Sequence, residues 1–292
     1  MVERNRGGKM KFGILVDSAA VYDPAEFKNT IIDVIPLHIV FPNNDEYLDI
    51  KNIVEQEKIL EKVSMGENIK TSQASSGELE KKYDELLEQY EHIIHIPITN
   101  NLSSMLQTAT LVSQDEKYKD KITVYQNNDL AAQGIALTAL SLAKAIKSNK
   151  IKTAQQAIDF IDNFKEKVLI AIIPGDLKKL SNGGRAKGVI TTVLNLLKTK
   201  LLIIWAKEPK KEAIGRTYNS LIEKLIKNLS NKFKKNKYKL YFLSTPLTSS
   251  KTVEIVKQIL SDEKINFVHG NVPNIYTIHA GVETIGFVAI EE

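Results

Sequence analysis

Short apolar runs alternate with amphipathic stretches along most of this chain. Phe12 to Val16 is an apolar run ending in Asp17-Ser18, the pattern of a buried strand followed by a turn. Ile31 to Val34 and Leu37 to Phe41 flank Pro36 and predict two further extended segments. Ile53 to Val63 sets Ile53, Ile59, Leu60 and Val63 near helical spacing, and Ser75 with Glu78 forms a capping box for a helix running to about Tyr90. The pattern then predicts a strand over His92 to Ile98, a helix over Leu102 to Ser113, a strand over Ile122 to Tyr125 and an Ala-rich helix from Asp129 to about Ser148. Strand and helix in strict alternation predict a three-layer α/β domain with a mainly parallel sheet, over residues 11–160.

Beyond Lys167 the texture changes. Val168 to Pro174 predicts a strand, Asp176 to Leu180 one helical turn, and Ser181-Asn182-Gly183-Gly184 a sharp break. Val189 to Leu197 predicts a helix, Leu201 to Trp205 a strand, Glu208 to Lys211 a turn and Tyr218 to Lys232 a helix. Four more strands are predicted over Tyr238 to Ser244, Ile265 to His269, Asn274 to His279 and Ile285 to Ile290, with Pro246 opening a helix between the first two. Strands in runs predict a C-terminal α+β domain with a mixed or antiparallel sheet, residues 161–292, joined near Thr153 to Lys167.

Composition narrows the function classes. With no cysteine, disulfides, Cys-ligated zinc, iron–sulfur clusters and thiol catalysis are excluded, and a cytoplasmic location is the simplest expectation. The longest apolar runs are far too short to cross a bilayer, so no stable membrane insertion is expected. Residues 1–10 are polar and Gly-containing, which predicts a flexible leader, with Met10 as an alternative start. The net charge of +5 invites a nucleic-acid reading. The densest lysine run, Lys232 to Lys239, nonetheless lies at a helix end with few aromatics, so no nucleic-acid partner is expected.

The candidate chemistry lies at strand ends, where ligands of open α/β sheets bind. His92 to Ile98 runs into Thr99-Asn100-Asn101-Leu102-Ser103-Ser104 and then a helix. A helix start offers unpaired backbone N–H groups and the positive end of the dipole, so an anion can be held there, with Thr99, Ser103 and Ser104 as uncharged donors. The competing reading is that Asn101 or Ser103 simply caps the helix. Asp17-Ser18, Thr71-Ser72-Gln73, Gly183-Gly184-Arg185 and His279-Ala280-Gly281 are similar polar breaks.

Taken with Ile35-Pro36-Leu37, Tyr47-Leu48-Asp49, Leu177 through Leu180, Arg216-Thr217 and Gly286, this succession resembles the DegV family from Met10 onward. The resemblance implies a two-domain protein that binds one long-chain fatty acid in a buried tunnel, without a cofactor. It also implies presentation of that lipid to a bacterial fatty acid kinase catalytic subunit. On this basis the ligand-binding residues are Thr71, Ser72, Ser103, Ser104, Arg185 and His279, and Arg216 faces a partner. The chain departs from the family at Ser104 and Met105, at Asn127-Asn128, at Leu201 and in Ala280-Gly281-Val282-Glu283, where Glu283 is expected to bring an acid near the head group.

An enzyme is the alternative. Ser103, His279 and Asp17 are the residue types of a hydrolytic triad, which would make an ester or small-molecule hydrolase. No Gly-x-Ser-x-Gly elbow surrounds Ser103. The five histidines show no metal-ligand spacing, and Gly183-Gly184-x-x-x-Gly188 is neither a dinucleotide fingerprint nor a P-loop.

Overall fold

The computed structural model describes residues 11–185, 199–206, 209–233 and 237–292. The predicted leader, the helix predicted over Val189 to Leu197, Glu208 of the predicted turn and part of the lysine run lie outside those residues. The first half contains β1 (Phe12–Asp17), β2 (Ile32–Ile35), β3 (His38–Val40), β4 (Glu46–Leu48), α1 (Lys51–Gln56), α2 (Ile59–Ser64) and β5 (Lys70–Ser72). It continues with α3 (Ser76–Leu87), β6 (His92–Ile96), α4 (Met105–Ser113), β7 (Ile122–Val124), α5 (Gln133–Lys147) and α6 (Ala154–Lys165). The second half contains β8 (Val168–Ile173), α7 (Leu177–Asn182), β9 (Lys200–Trp205), β10 (Lys210–Gly215) and α8 (Tyr218–Lys232). It closes with β11 (Tyr238–Ser244), α9 (Ser250–Asp262), β12 (Phe267–Asn271), α10 (Asn274–Ala280) and β13 (Ile285–Glu291).

The fold is α/β. A parallel sheet of order β2-β1-β6-β7 forms the centre of the first half. Alternate residues of its strands enter different cores, as the two-residue period of a strand requires. Ile14, Val16, Ile94 and Ile96 pack with α5 and α6, whereas Leu15, Ile93 and Ile122 pack with α3 and α4. A small antiparallel sheet, β4-β3-β5, lies beside it. The second half is built on a mixed sheet of order β10-β9-β8-β13-β11-β12, antiparallel except for the β11–β12 pair. One face is covered by α8 and α9, and the other contributes Val168, Ile170, Leu243 and Val288 to the same core as Ile14 and Ile94.

Several local expectations are corrected. The helix predicted over Ile53 to Val63 is two short helices broken at Lys58, which adopts a left-handed φ of 49°. A continuous helix would follow Val54 on its buried face with Glu57, Lys58 and Glu61; the break turns Ile59, Leu60 and Val63 into the core instead. Asn274 to His279 is not a strand but α10, because Ile275 and Ile278, three apart, pack on one core and Pro273 precedes its first turn. Ser249, not Pro246, opens the following helix, its side chain accepting from the Thr252 N–H. The turn predicted up to Lys211 gives way to the polar edge strand β10, and the helix predicted from Leu102 starts at Met105. The stretch Thr153 to Lys167 contains α6, capped by Thr153. The capping box of α3 is present as predicted, with Ser75 and Glu78 each accepting from the other's backbone N–H.

Candidate functional site

A cavity of about 350 Å³ lies between the inner face of the mixed sheet and the first half of the chain. That is within the range of roughly 300–1,000 Å³ typical of small-molecule sites. Its walls are largely aliphatic and aromatic, with Ile170, Ile172, Ile203, Trp205 and Val288 from the sheet opposing Leu37, Ile98 and Ile275. Polar side chains come from separate segments, among them Thr71, Ser72 and Gln73 around β5, Ser103 and Ser104 before α4, Arg185 after α7 and His279 of α10.

Thr71 and His279, 208 residues apart in sequence, meet at 2.7 Å between Oγ1 and Nε2. Burial pushes the His279 imidazole down to about 4, and the cations Arg185 and Lys179 push in the same direction, so the ring is neutral at physiological pH. A neutral imidazole donates from one nitrogen and accepts at the other. If Nε2 carries the hydrogen, it donates to Thr71 and leaves the Thr71 hydroxyl hydrogen free for a ligand acceptor. Ser103 has the same arrangement, its Oγ accepting from the Met105 N–H at 3.1 Å, so its O–H is also free to donate. The helix-cap reading and the ligand reading of Ser103 are therefore compatible, because they use different sides of one hydroxyl.

Arg185 is half-buried, and burial lowers its basicity. Its Nη1 donates to the Gly183 carbonyl at 2.7 Å and its Nε to that of Leu102 at 3.3 Å, with no acid partner among the described residues. Glycines permit the close packing of α7 and α10 beside it. A Cβ on Gly183 would lie 3.1 Å from His279 Nδ1, and Gly281, at φ 88°, would place one 2.8 Å from Asp176 Cβ. Hydroxyls beside a guanidinium that has no carboxylate partner among the described residues form a site that can hold an anion.

The remaining predicted residues take varied positions. Ser72 and Ser104 touch the cavity but are exposed, and the Ser72 hydroxyl donates to Glu46 at 3.0 Å. Thr99 is buried outside the cavity lining with its hydroxyl unpartnered. Arg216 is exposed, outside the cavity and next to the Thr217 cap of α8. Glu283 does not approach the site as expected: its carboxylate accepts from the Ser249 N–H and hydroxyl and from Thr252, at the start of α9. Asn127 is a loop brace, with its amide nitrogen on the carbonyls of Pro97 and Leu130 and its oxygen on the N–H groups of Asp129 and Leu130.

The hydrolytic constellation is not assembled. Asp17 accepts from the backbone N–H groups of Ile98 and Ala19, and burial pushes its carboxyl up to about 7. It has no contact with His279, whose Nε2 is on Thr71 and not on Ser103. Gln73, part of the Thr71-Ser72-Gln73 break but not among the expected ligand-binding residues, also lines the cavity, as period two, which sets it on the side of the chain that Thr71 occupies, allows.

The family model described as "DegV: Uncharacterised protein, DegV family COG1307" matches residues 11–292. Protein DegV of Bacillus subtilis is 28% identical over 236 residues, covering 75% of this chain and 80% of the relative. A DegV domain-containing protein of Mycoplasma genitalium is 25% identical, with 94% of this chain and 96% of the relative covered. Among solved structures, DegV from Bacillus subtilis, described as a fatty acid binding protein, superposes with a TM-score of 0.79 at 23% identity, covering 97% of this chain and 100% of its own. A stearic acid-binding protein from Eubacterium ventriosum superposes with a TM-score of 0.82 at 21% identity, covering 96% of this chain and 98% of its own.

Proposed function

This chain belongs to the DegV family, and from that premise we propose that it binds a single long-chain fatty acid in the cavity and presents the carboxylate to a fatty acid kinase. Thr71, Ser103, Arg185 and His279 hold the head group, with Ser72 and Ser104 at its edge, and the aliphatic walls take the chain. The observation that supports this reading best is the division of one cavity into an apolar body and a polar cap of uncharged donors beside Arg185. Each buried methylene contributes about 0.8 kcal/mol, so the chain supplies most of the affinity and the cap fixes its direction.

The exposure of Ser72 and Ser104 supports the second half of the proposal. The polar cap borders solvent, so a carboxylate bound there is open to a partner carrying the nucleotide. Arg216 is assigned to the surface that meets that partner, and the protein acts as a cytoplasmic carrier with no cofactor of its own.

Protein purified from a cell, denatured and extracted should yield about one fatty acid per chain by mass spectrometry. A lipid-free chain that takes up no added palmitate would overturn the binding reading. Incubating the loaded protein with a fatty acid kinase catalytic subunit and ATP should produce acyl phosphate, trapped as the hydroxamate. Loaded protein that gives no acyl phosphate would remove the presentation role alone.

A further inference from the structure

Gln73 is a polar side chain of the cavity that the assignments above leave without a role. It lines the cavity two residues after Thr71, its Nε2 is 2.6 Å from Thr108 Oγ1, and its Oε1 is buried with no hydrogen-bond partner. A buried amide oxygen without a donor is costly, and the residue that carries it lines the cavity in which a carboxylate is proposed to bind. Two acceptors cannot bond to each other, so an ionised head group facing that oxygen would be repelled. The terminal torsion of a glutamine is broad and roughly two-fold, so the amide can turn over at little cost. Thr108 accommodates either orientation, because a hydroxyl accepts from the amide nitrogen or donates to the amide oxygen equally well. After the turn, Oε1 accepts from Thr108 and the NH₂ group occupies the place of the unpartnered oxygen.

We propose that Gln73 selects the head group: its amide nitrogen donates to an ionised carboxylate, and Thr108 is the positioning residue that holds the amide turned that way. The inference rests on the fatty-acid reading and adds a source of specificity to it. Before the amide turns, its oxygen meets a hydroxyl head group; after it turns, its nitrogen meets a carboxylate. One side chain thus serves either head group, and the bond to the charged carboxylate is the stronger of the two, so the site favours carboxylate over alcohol.

Palmitate and 1-hexadecanol, of equal chain length, separate this role from simple packing. Gln73→Met keeps the volume and removes the amide. It should weaken palmitate binding roughly tenfold to a hundredfold, the loss of one hydrogen bond to a charged group, and weaken hexadecanol binding less, the loss of one hydrogen bond to a neutral group. Gln73→Glu should weaken palmitate further and retain hexadecanol, since its carboxylate accepts from the alcohol. Thr108→Val should lower palmitate affinity in the same selective way, and Thr108→Ser should restore it. Equal losses for both lipids in Gln73→Met and Gln73→Glu would reduce Gln73 to a packing residue and overturn the proposal. So would undiminished palmitate binding in Gln73→Met. If wild-type protein binds neither lipid, the fatty-acid reading falls and this inference with it.

Discussion

Replacing Thr71 by Val removes one hydroxyl, keeps the β-branched shape suited to β5, and acts on two separately measurable quantities. The Thr71 oxygen is 2.7 Å from His279 Nε2 in a site where the imidazole is largely desolvated and neutral. Without it the buried ring nitrogen loses its partner, which costs about 1–3 kcal/mol of folding stability in the empty protein. The same hydroxyl is proposed to donate to the ligand carboxylate, and a hydrogen bond to a charged group is worth about 1.5–3 kcal/mol. That corresponds to a Kd for palmitate weaker by roughly tenfold to a hundredfold. Urea unfolding of the lipid-free chain reads the first effect, and titration calorimetry with palmitate reads the second. Thr71→Ser, which keeps the oxygen, should restore both. Palmitate affinity within twofold of wild type in Thr71→Val, or equal damage from Thr71→Ser, would refute the head-group assignment.

Other consequences follow from the same geometry. By NMR titration, His279 in the empty protein should protonate near 4, and a bound carboxylate should raise that value because an opposite charge favours the imidazolium. His95, pushed down to about 3 by burial alone, is the internal control; an unmoved His279 would place the head group elsewhere. Gly281→Ala forces a side chain onto a φ of 88° and against Asp176, and should cost roughly 1–3 kcal/mol in urea unfolding; an unchanged midpoint would show that the turn yields. Gly286 lines the cavity, and a Cβ there meets no atom nearer than 3.7 Å, so Gly286→Ala should fold normally. Gly286→Leu should shift the bound lipid to shorter chains by mass spectrometry, and an unaltered profile would mean that the chain runs elsewhere.

Much of the frame was legible in the sequence because it is set locally. The capping box at Ser75 and Glu78, the run from Tyr218 to Lys232 and the alternating faces of β1 and β6 depend on neighbours within a few residues. What was illegible depends on tertiary context. Asn274 to His279 is rich in β-branched and aromatic residues, which suits a strand, and only a core facing Ile275 and Ile278 together makes it a helix. The edge strand β10 pairs, among the described residues, with β9 alone across a bulge and has too little apolar content to announce itself. Glu283 was two residues past Gly281 and so looked close to the site, but its carboxylate turns to Ser249 and Thr252. The site motifs were visible as polar breaks, whereas the 2.7 Å contact between Thr71 and His279 exists only after the two halves come together.

That dependence has an energetic counterpart in Arg185. Its guanidinium is half-buried and bonded to carbonyls, so in the empty site a charge is partly desolvated without an opposing charge among the described residues. Neutral donors cannot relieve that cost, and Glu283, which could, is committed to α9. On the proposed function an entering carboxylate would relieve it while accepting from Ser103, and from Thr71 when His279 Nε2 carries the ring hydrogen. Ligand and fold are then coupled: a fatty acid that binds only the assembled site stabilises it in proportion to the logarithm of its concentration over Kd. The residues assigned to the head group would thus also be those through which the ligand fastens β5, the turn before α4, Arg185 and α10 to one another.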